Sequence, residues 1–136
     1  MQTFLPFDDF ALSAGSLDRA RLGKQRVETL QILNALKDPS YGWQNHPATN
    51  MWRGSELTLV DYGVAICSEW ISRGYNDTCL DKIKANTAHF SNTSSPWWLG
   101  DSRVHDSHKA MLYKKNPDFY VAFRSKSHIE NYFWPT

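Results

Sequence analysis

Two proline-free stretches constrain this chain more than any other feature. Residues 17–37 contain no Pro and only Gly23, and they are rich in Leu, Arg, Lys, Gln and Glu, all good helix formers. Ser16 stands before them as an N-cap, and Asp38-Pro39 stops the helix, because a residue preceding proline is driven out of the α region. Residues 48–73 run without proline behind Pro47, which suits a first helical turn, with Thr49 and Asn50 as alternative caps. Val60, Val64, Cys67 and Ile71 recur at helical spacing as one apolar stripe. Gly74 closes this second helix. Around the pair, residues 1–15 read as extended or irregular, 78–88 as a short helix, 91–100 as a loop, 102–116 as a helix and 117–124 as one further turn. No alternation is long enough for a sheet. The expected fold is all-α: a single compact domain, residues 1–136, built on two long helices with shorter C-terminal helices and loops.

The formal net charge of +1 excludes a uniformly basic coat, so a nucleic-acid surface must come from uneven placement. Residues 38–102 carry net −3 and residues 103–128 net +4. Arg19, Arg21, Lys24 and Arg26 cluster on the first long helix, Arg53 follows the second stretch's opening turn, and Lys114 and Lys115 sit among C-terminal aromatics. Cations beside aromatics suit phosphate contacts and base stacking. They equally suit a solvated helix face over core aromatics. Trp43, Trp97 and Trp98 lie in Gly- or Ser-rich loops and are candidate stacking plates. Two cysteines cannot build a disulfide scaffold, and Cys67 lies in the apolar stripe as a small hydrophobe. Asp8 and Asp9 stand where a secretory signal would carry cations, so the expected compartment is the cytoplasm.

Chemistry-bearing residues are few. Arg21, Lys24, Gln25 and Glu28 share one side of the first helix. Glu28 there is either an i,i+4 salt-bridge partner of Lys24 or a carboxylate that stabilises a sugar cation and handles protons. His46, at the entrance to the second helix, is either a structural hydrogen-bonder or a contact for a phosphate or base edge. His105 and His108 share a helix face but lack a third ligand in any recognised metal spacing, so no metal and no cofactor is expected. Walker, dinucleotide-binding and nucleophile-elbow motifs are missing from the sequence.

Three stretches resemble the pyrimidine-dimer DNA glycosylase family, the endonuclease V type of ultraviolet-damage repair enzyme. They are LDRARLGKQRVETL (17–30), YGWQNHPATNMWRGSELTLVDYGVAICSEWISRGYND (41–77) and HDSHKAMLYKKNPDFY (105–120). The family segment places its catalytic Glu eleven residues after a Leu, which falls on Glu28. The resemblance implies an all-α, metal-independent enzyme that binds double-stranded DNA as a monomer, with no membrane and no obligatory protein partner. It implies extrusion of a nucleotide, cleavage of the N-glycosidic bond and strand nicking by β-elimination (AP lyase). The implied nucleophile is the first residue's α-amino group. Gln2 is too large for routine methionine removal, so that amine belongs to Met1. Two other readings remain: a non-catalytic nucleic-acid or nucleotide-binding helical module, and a same-fold enzyme acting on a small nucleoside.

Overall fold

The structure, a computed structural model, describes residues 1–92 and 94–136. Among these described residues, six α-helices follow in order: α1 (Phe10–Ser16), α2 (Arg19–Lys37), α3 (Pro47–Asn50), α4 (Glu56–Ser72), α5 (Leu80–Ala85) and α6 (Ser102–Lys115). Two 3-10 turns, Asn86–His89 and Val121–Lys126, complete the elements. No strand occurs among the described residues. The all-α class expected from the sequence is what the chain adopts.

Helices α2 and α4 pack on each other as the spine, with α1 and α5 laid against α4. Leu22, Ile32 and Leu33 of α2 meet Leu59, Tyr62 and Ile66 of α4 in one core that also holds Leu5, Leu17, Trp52 and Trp98. Gly63 permits the close approach. A Cβ there would stand 2.9 Å from Ile83 Cγ2 and 3.0 Å from Thr29 Cγ2, nearer than packed carbons tolerate. Gly74, at φ +93°, ends α4 in the left-handed conformation that favours glycine.

Several boundaries differ from the sequence expectation. Residues 10–16 form α1, capped by the Asp9 carboxylate accepting from Leu12 N–H at 2.8 Å; a seven-residue helix is too short to display an apolar period. Asp18, not Ser16, precedes α2. The stretch 48–73 is two helices, because Gly54 at φ +86° breaks it and Ser55 starts α4. α3 is capped by His46, whose Nδ1 accepts from Ala48 N–H at 3.0 Å, and not by Thr49 or Asn50. Of the apolar stripe, Val60 and Cys67 are buried and Val64 partly so, whereas Ile71 is 47% exposed; the buried face of α4 also takes in Leu59, Tyr62, Gly63 and Ile66.

The N-terminal segment is threaded through the interior. Residues 2–6 are buried although they belong to no helix. Their backbone groups are satisfied by side chains from three helices, as buried amides and carbonyls require. Gln25 of α2 accepts from Phe4 N–H at 2.8 Å and donates to Gln2 O at 2.8 Å. The Tyr62 hydroxyl of α4 reaches Phe4 O at 2.8 Å. His108 of α6 accepts from Leu5 N–H at 2.9 Å. Trp52 Nε1 donates to Thr3 Oγ1 at 3.0 Å.

Candidate active site

The threading delivers the first residue to the middle of α2. Gln2 N–H lies 3.4 Å from Glu28 Oε2, and Gln25 Nε2 donates to that same oxygen at 2.9 Å. Gln25 is buried, donates both amide hydrogens and accepts from Phe4 N–H, while the Tyr62 hydroxyl lies 2.7 Å from its Oε1 with one hydrogen to share between that oxygen and Phe4 O. That arrangement orients the Glu28 carboxylate. No Lys24–Glu28 ion pair forms among the described residues, so the i,i+4 salt bridge is not what Glu28 makes.

Glu28 sits on a ridge between two hollows. One is a cleft of about 460 Å³ bordered by Met1, Gln2, Arg21, Lys24, Lys115 and Tyr132. The other is a groove of about 790 Å³ on the other flank of the Ala20–Lys24–Glu28 row, walled by Arg19, Gly23, Val27 and Trp70. Lys24 and Glu28 border both. Burial pushes the Tyr132 phenol up to about 12, with the positive Arg21 pulling it down and Glu28 raising it. Tyr132 therefore faces the cleft as a protonated hydroxyl donor at neutral pH. His46 is held below its usual value by burial and then by the positive Met1 amine, while Glu28 pulls the other way. The imidazole thus shares the electrostatic field of both groups. Its ring meets the edges of Trp43 and Trp134 at 5.8 and 5.9 Å between centroids.

The cations divide by what already holds them. Lys24 and Lys115 form no ion pair among the described residues and are exposed at the cleft. Arg21 pairs with Asp18 at 3.0 Å, and Arg19 lies over the Tyr75 ring at 5.0 Å. Arg26 departs from expectation. It pairs with Asp77 at 2.7 Å, lies on Trp70 at 4.3 Å and is largely covered, which makes it an internal brace between α2 and the α4–α5 loop. Arg53 braces the loop before α3 by donating to Gln44 O at 2.7 Å, and Lys114 donates to Ile129 O.

The three candidate stacking tryptophans separate in the same way. Trp97 is 67% and Trp43 49% exposed, whereas Trp98 is fully buried. Trp98 is a correction: it packs on Trp52 at 4.9 Å and donates Nε1–H to Met51 O at 2.9 Å, so it is core. Trp43 takes φ +69°, a left-handed conformation that a bulky residue adopts only when its surroundings impose it. Cys67 is buried and free, and burial raises its thiol to about 12; it packs and does not attack. His105 and His108 both direct Nδ1 at the Leu5 backbone.

The site residues that sequence reasoning passed over are Gln2, Tyr62 and Tyr132; Gln25 is placed beside Glu28 but given no role. Gln25 had a local signal, standing three residues before Glu28 on one helix side. The others reach the site through long-range folding alone.

The fold and cleft define a small all-helical enzyme-like domain whose first residue and a helix carboxylate share one basic hollow. The family model that matches the chain, over residues 1–83, is that of the pyrimidine dimer DNA glycosylases. The chain belongs to that family, whose members are DNA-repair glycosylases acting on DNA. No curated protein and no solved structure matches it. The matched segment contains Met1, Glu28, His46, α1 to α4 and most of α5.

Proposed function

We propose that this protein excises the 5′ pyrimidine of a dimer from duplex DNA with the Met1 α-amine as nucleophile and Glu28 as acid–base group, and then nicks the strand. The observation that carries the reading is that Met1 and Glu28 border one cleft, with the N-terminal segment anchored to the carboxylate: Gln2 N–H and Gln25 Nε2 converge on one of its oxygens, at 3.4 and 2.9 Å. Oε1 takes no hydrogen bond among the described residues.

The chemistry follows from those groups. An unprotonated amine attacks C1′ of an extruded nucleotide as the C1′–N bond breaks and its electron pair leaves with the base. Glu28 stabilises the cationic sugar as that bond lengthens. Loss of the amine proton and opening of the sugar ring give a Schiff base. Removal of a C2′ proton then expels the 3′ phosphate, and water releases the product from Met1. Neither group requires a metal for these steps.

Lys24, Lys115, Arg21 and Arg19 supply phosphate contacts around the cleft, and Trp43 with His46 forms a wall for an unstacked base. Arg26 is left out of the phosphate set because Asp77 already holds it. Lys115→Ala should therefore flatten the slope of log K against log[salt] by about 0.9. Arg26→Ala should lower the melting temperature and leave that slope unchanged. Salt titrations of duplex binding check both, and an unchanged slope for Lys115→Ala contradicts the phosphate assignment.

The activity is tested with a duplex carrying one thymine dimer, labelled on the damaged strand. The expected result is a single strand break at the dimer. An intact strand, including after alkaline treatment that would reveal an abasic site, contradicts the proposal.

A further inference from the structure

The first five residues have no ladder to fix their register. Among the described residues, no backbone–backbone hydrogen bond reaches residues 1–5. An extended segment held by side chains can slip, and a one-residue slip moves it about 3.3 Å and turns every side chain to the opposite face. For an amine that must meet a reacting carbon within about 3–3.5 Å, such a slip ends the reaction.

Two adjacent residues of the segment are gripped on both of their backbone groups: Phe4 by Gln25 and Tyr62, and Leu5 by two histidines of α6. His108 Nδ1 accepts from Leu5 N–H at 2.9 Å. His105 Nδ1 lies 2.8 Å from Leu5 O. The two histidines stand one helical turn apart on α6, and both are buried. Their tautomers are complementary. Gly100 N–H donates to His105 Nε2 at 2.9 Å, so the His105 proton resides on Nδ1 and is donated to the Leu5 carbonyl. His108 accepts at Nδ1, so its proton resides on Nε2. Burying an imidazole is costly where a ring nitrogen lacks a partner, as His108 Nε2 does among the described residues, and an apolar side chain there would hold the Leu5 side chain without reading its peptide groups. α6 also lies outside residues 1–83, the part that matches the family model.

We propose that His105 and His108 are positioning residues that set the register of the N-terminal segment and so place the Met1 α-amine against Glu28. The inference rests on the reading of Met1 as the nucleophile. The histidines touch no reacting atom and act through the Leu5 backbone, four residues from the amine.

The test uses the full chain and a duplex with a preformed abasic site, so that glycosidic cleavage is bypassed. The Met1 amine adds to the C1′ aldehyde, water leaves to form the C=N bond, and cyanoborohydride reduces it to a stable secondary amine. His108→Leu removes the acceptor, whereas His108→Asn keeps an acceptor at nearly the same place. His108→Leu should slow adduct formation on Met1 at least tenfold, with abasic-duplex affinity within threefold of wild type. His108→Asn should return the rate to within threefold. If His108→Leu does not fold, His105→Leu against His105→Asn, which keeps a donor, gives the same comparison. A folded Leu variant that forms the Met1 adduct at the wild-type rate overturns the positioning role and leaves the nucleophile reading intact. A wild-type adduct that maps to a lysine overturns the nucleophile reading and this inference with it.

Discussion

Glu28→Gln should lower glycosidic cleavage by at least a hundredfold, equivalent to about 2.7 kcal/mol of barrier, while melting temperature and duplex affinity stay close to wild type. The substitution keeps side-chain length and helix propensity. The carbonyl oxygen of the introduced amide can still accept from Gln25 Nε2 and Gln2 N–H, the two donors that now meet Oε2, so the N-terminal segment keeps its anchor. What is lost is the negative charge facing the developing sugar cation and the capacity to move a proton. If Glu28 were only structural, the amide would replace it with little effect. Single-turnover cleavage of a dimer duplex, beside a thermal melt, separates the two cases. Cleavage within a few-fold of wild type contradicts the assignment.

The second large effect is on stability in mild acid. Burial, assisted by the neighbouring His105, holds His108 down at about 3, whereas an unfolded histidine titrates near 6.5. Its folded value is depressed, so its contribution is fully present above about pH 6.5. It is lost as pH falls, because the unfolded chain takes up a proton that the folded chain refuses. His46 shifts in the same direction, through burial and the Met1 amine. The carboxylates held low, Asp77 by the Arg26 hydrogen bond against its own burial and Asp101 by Arg103 at about 2, act only at lower pH. Between pH 6.5 and 4.5 the histidines therefore dominate. Denaturant unfolding should show a loss of roughly 3 kcal/mol over that window. A free energy flat from pH 7 to pH 4.5 would contradict a buried, neutral His108.

Helices α2 and α6 were legible because proline marks their ends: Asp38-Pro39 after α2, and Asn116-Pro117 after α6. α1 was not, because its signal is a single capping Asp9 ahead of seven residues. The break between α3 and α4 was hidden because Gly54 and Ser55 are individually tolerated inside helices, and the left-handed turn declares itself only when Trp52 is buried on one side of it.

For the site, the side of α2 that carries Glu28 could be drawn from helical geometry alone. The arrival of Met1 there could not. It depends on Gln25, Tyr62 and His108 holding backbone groups of residues distant in the chain, and such pairings leave no local pattern. Trp98 illustrates the same limit from the other side. Trp97 and Trp98 share one loop and one composition, yet Met51 O and Trp52 draw one inward and leave the other in solvent.

The central claim is that the Met1 amine does covalent chemistry under the control of Glu28. Incubating the protein with ultraviolet-irradiated duplex in the presence of borohydride, then mapping any cross-link by peptide mass, tests it most directly. The account predicts a protein–DNA adduct on the Met1-containing peptide, dependent on irradiation and strongly reduced in Glu28→Gln. Cleavage of the glycosidic bond with no adduct, or an adduct on any other residue, would contradict it.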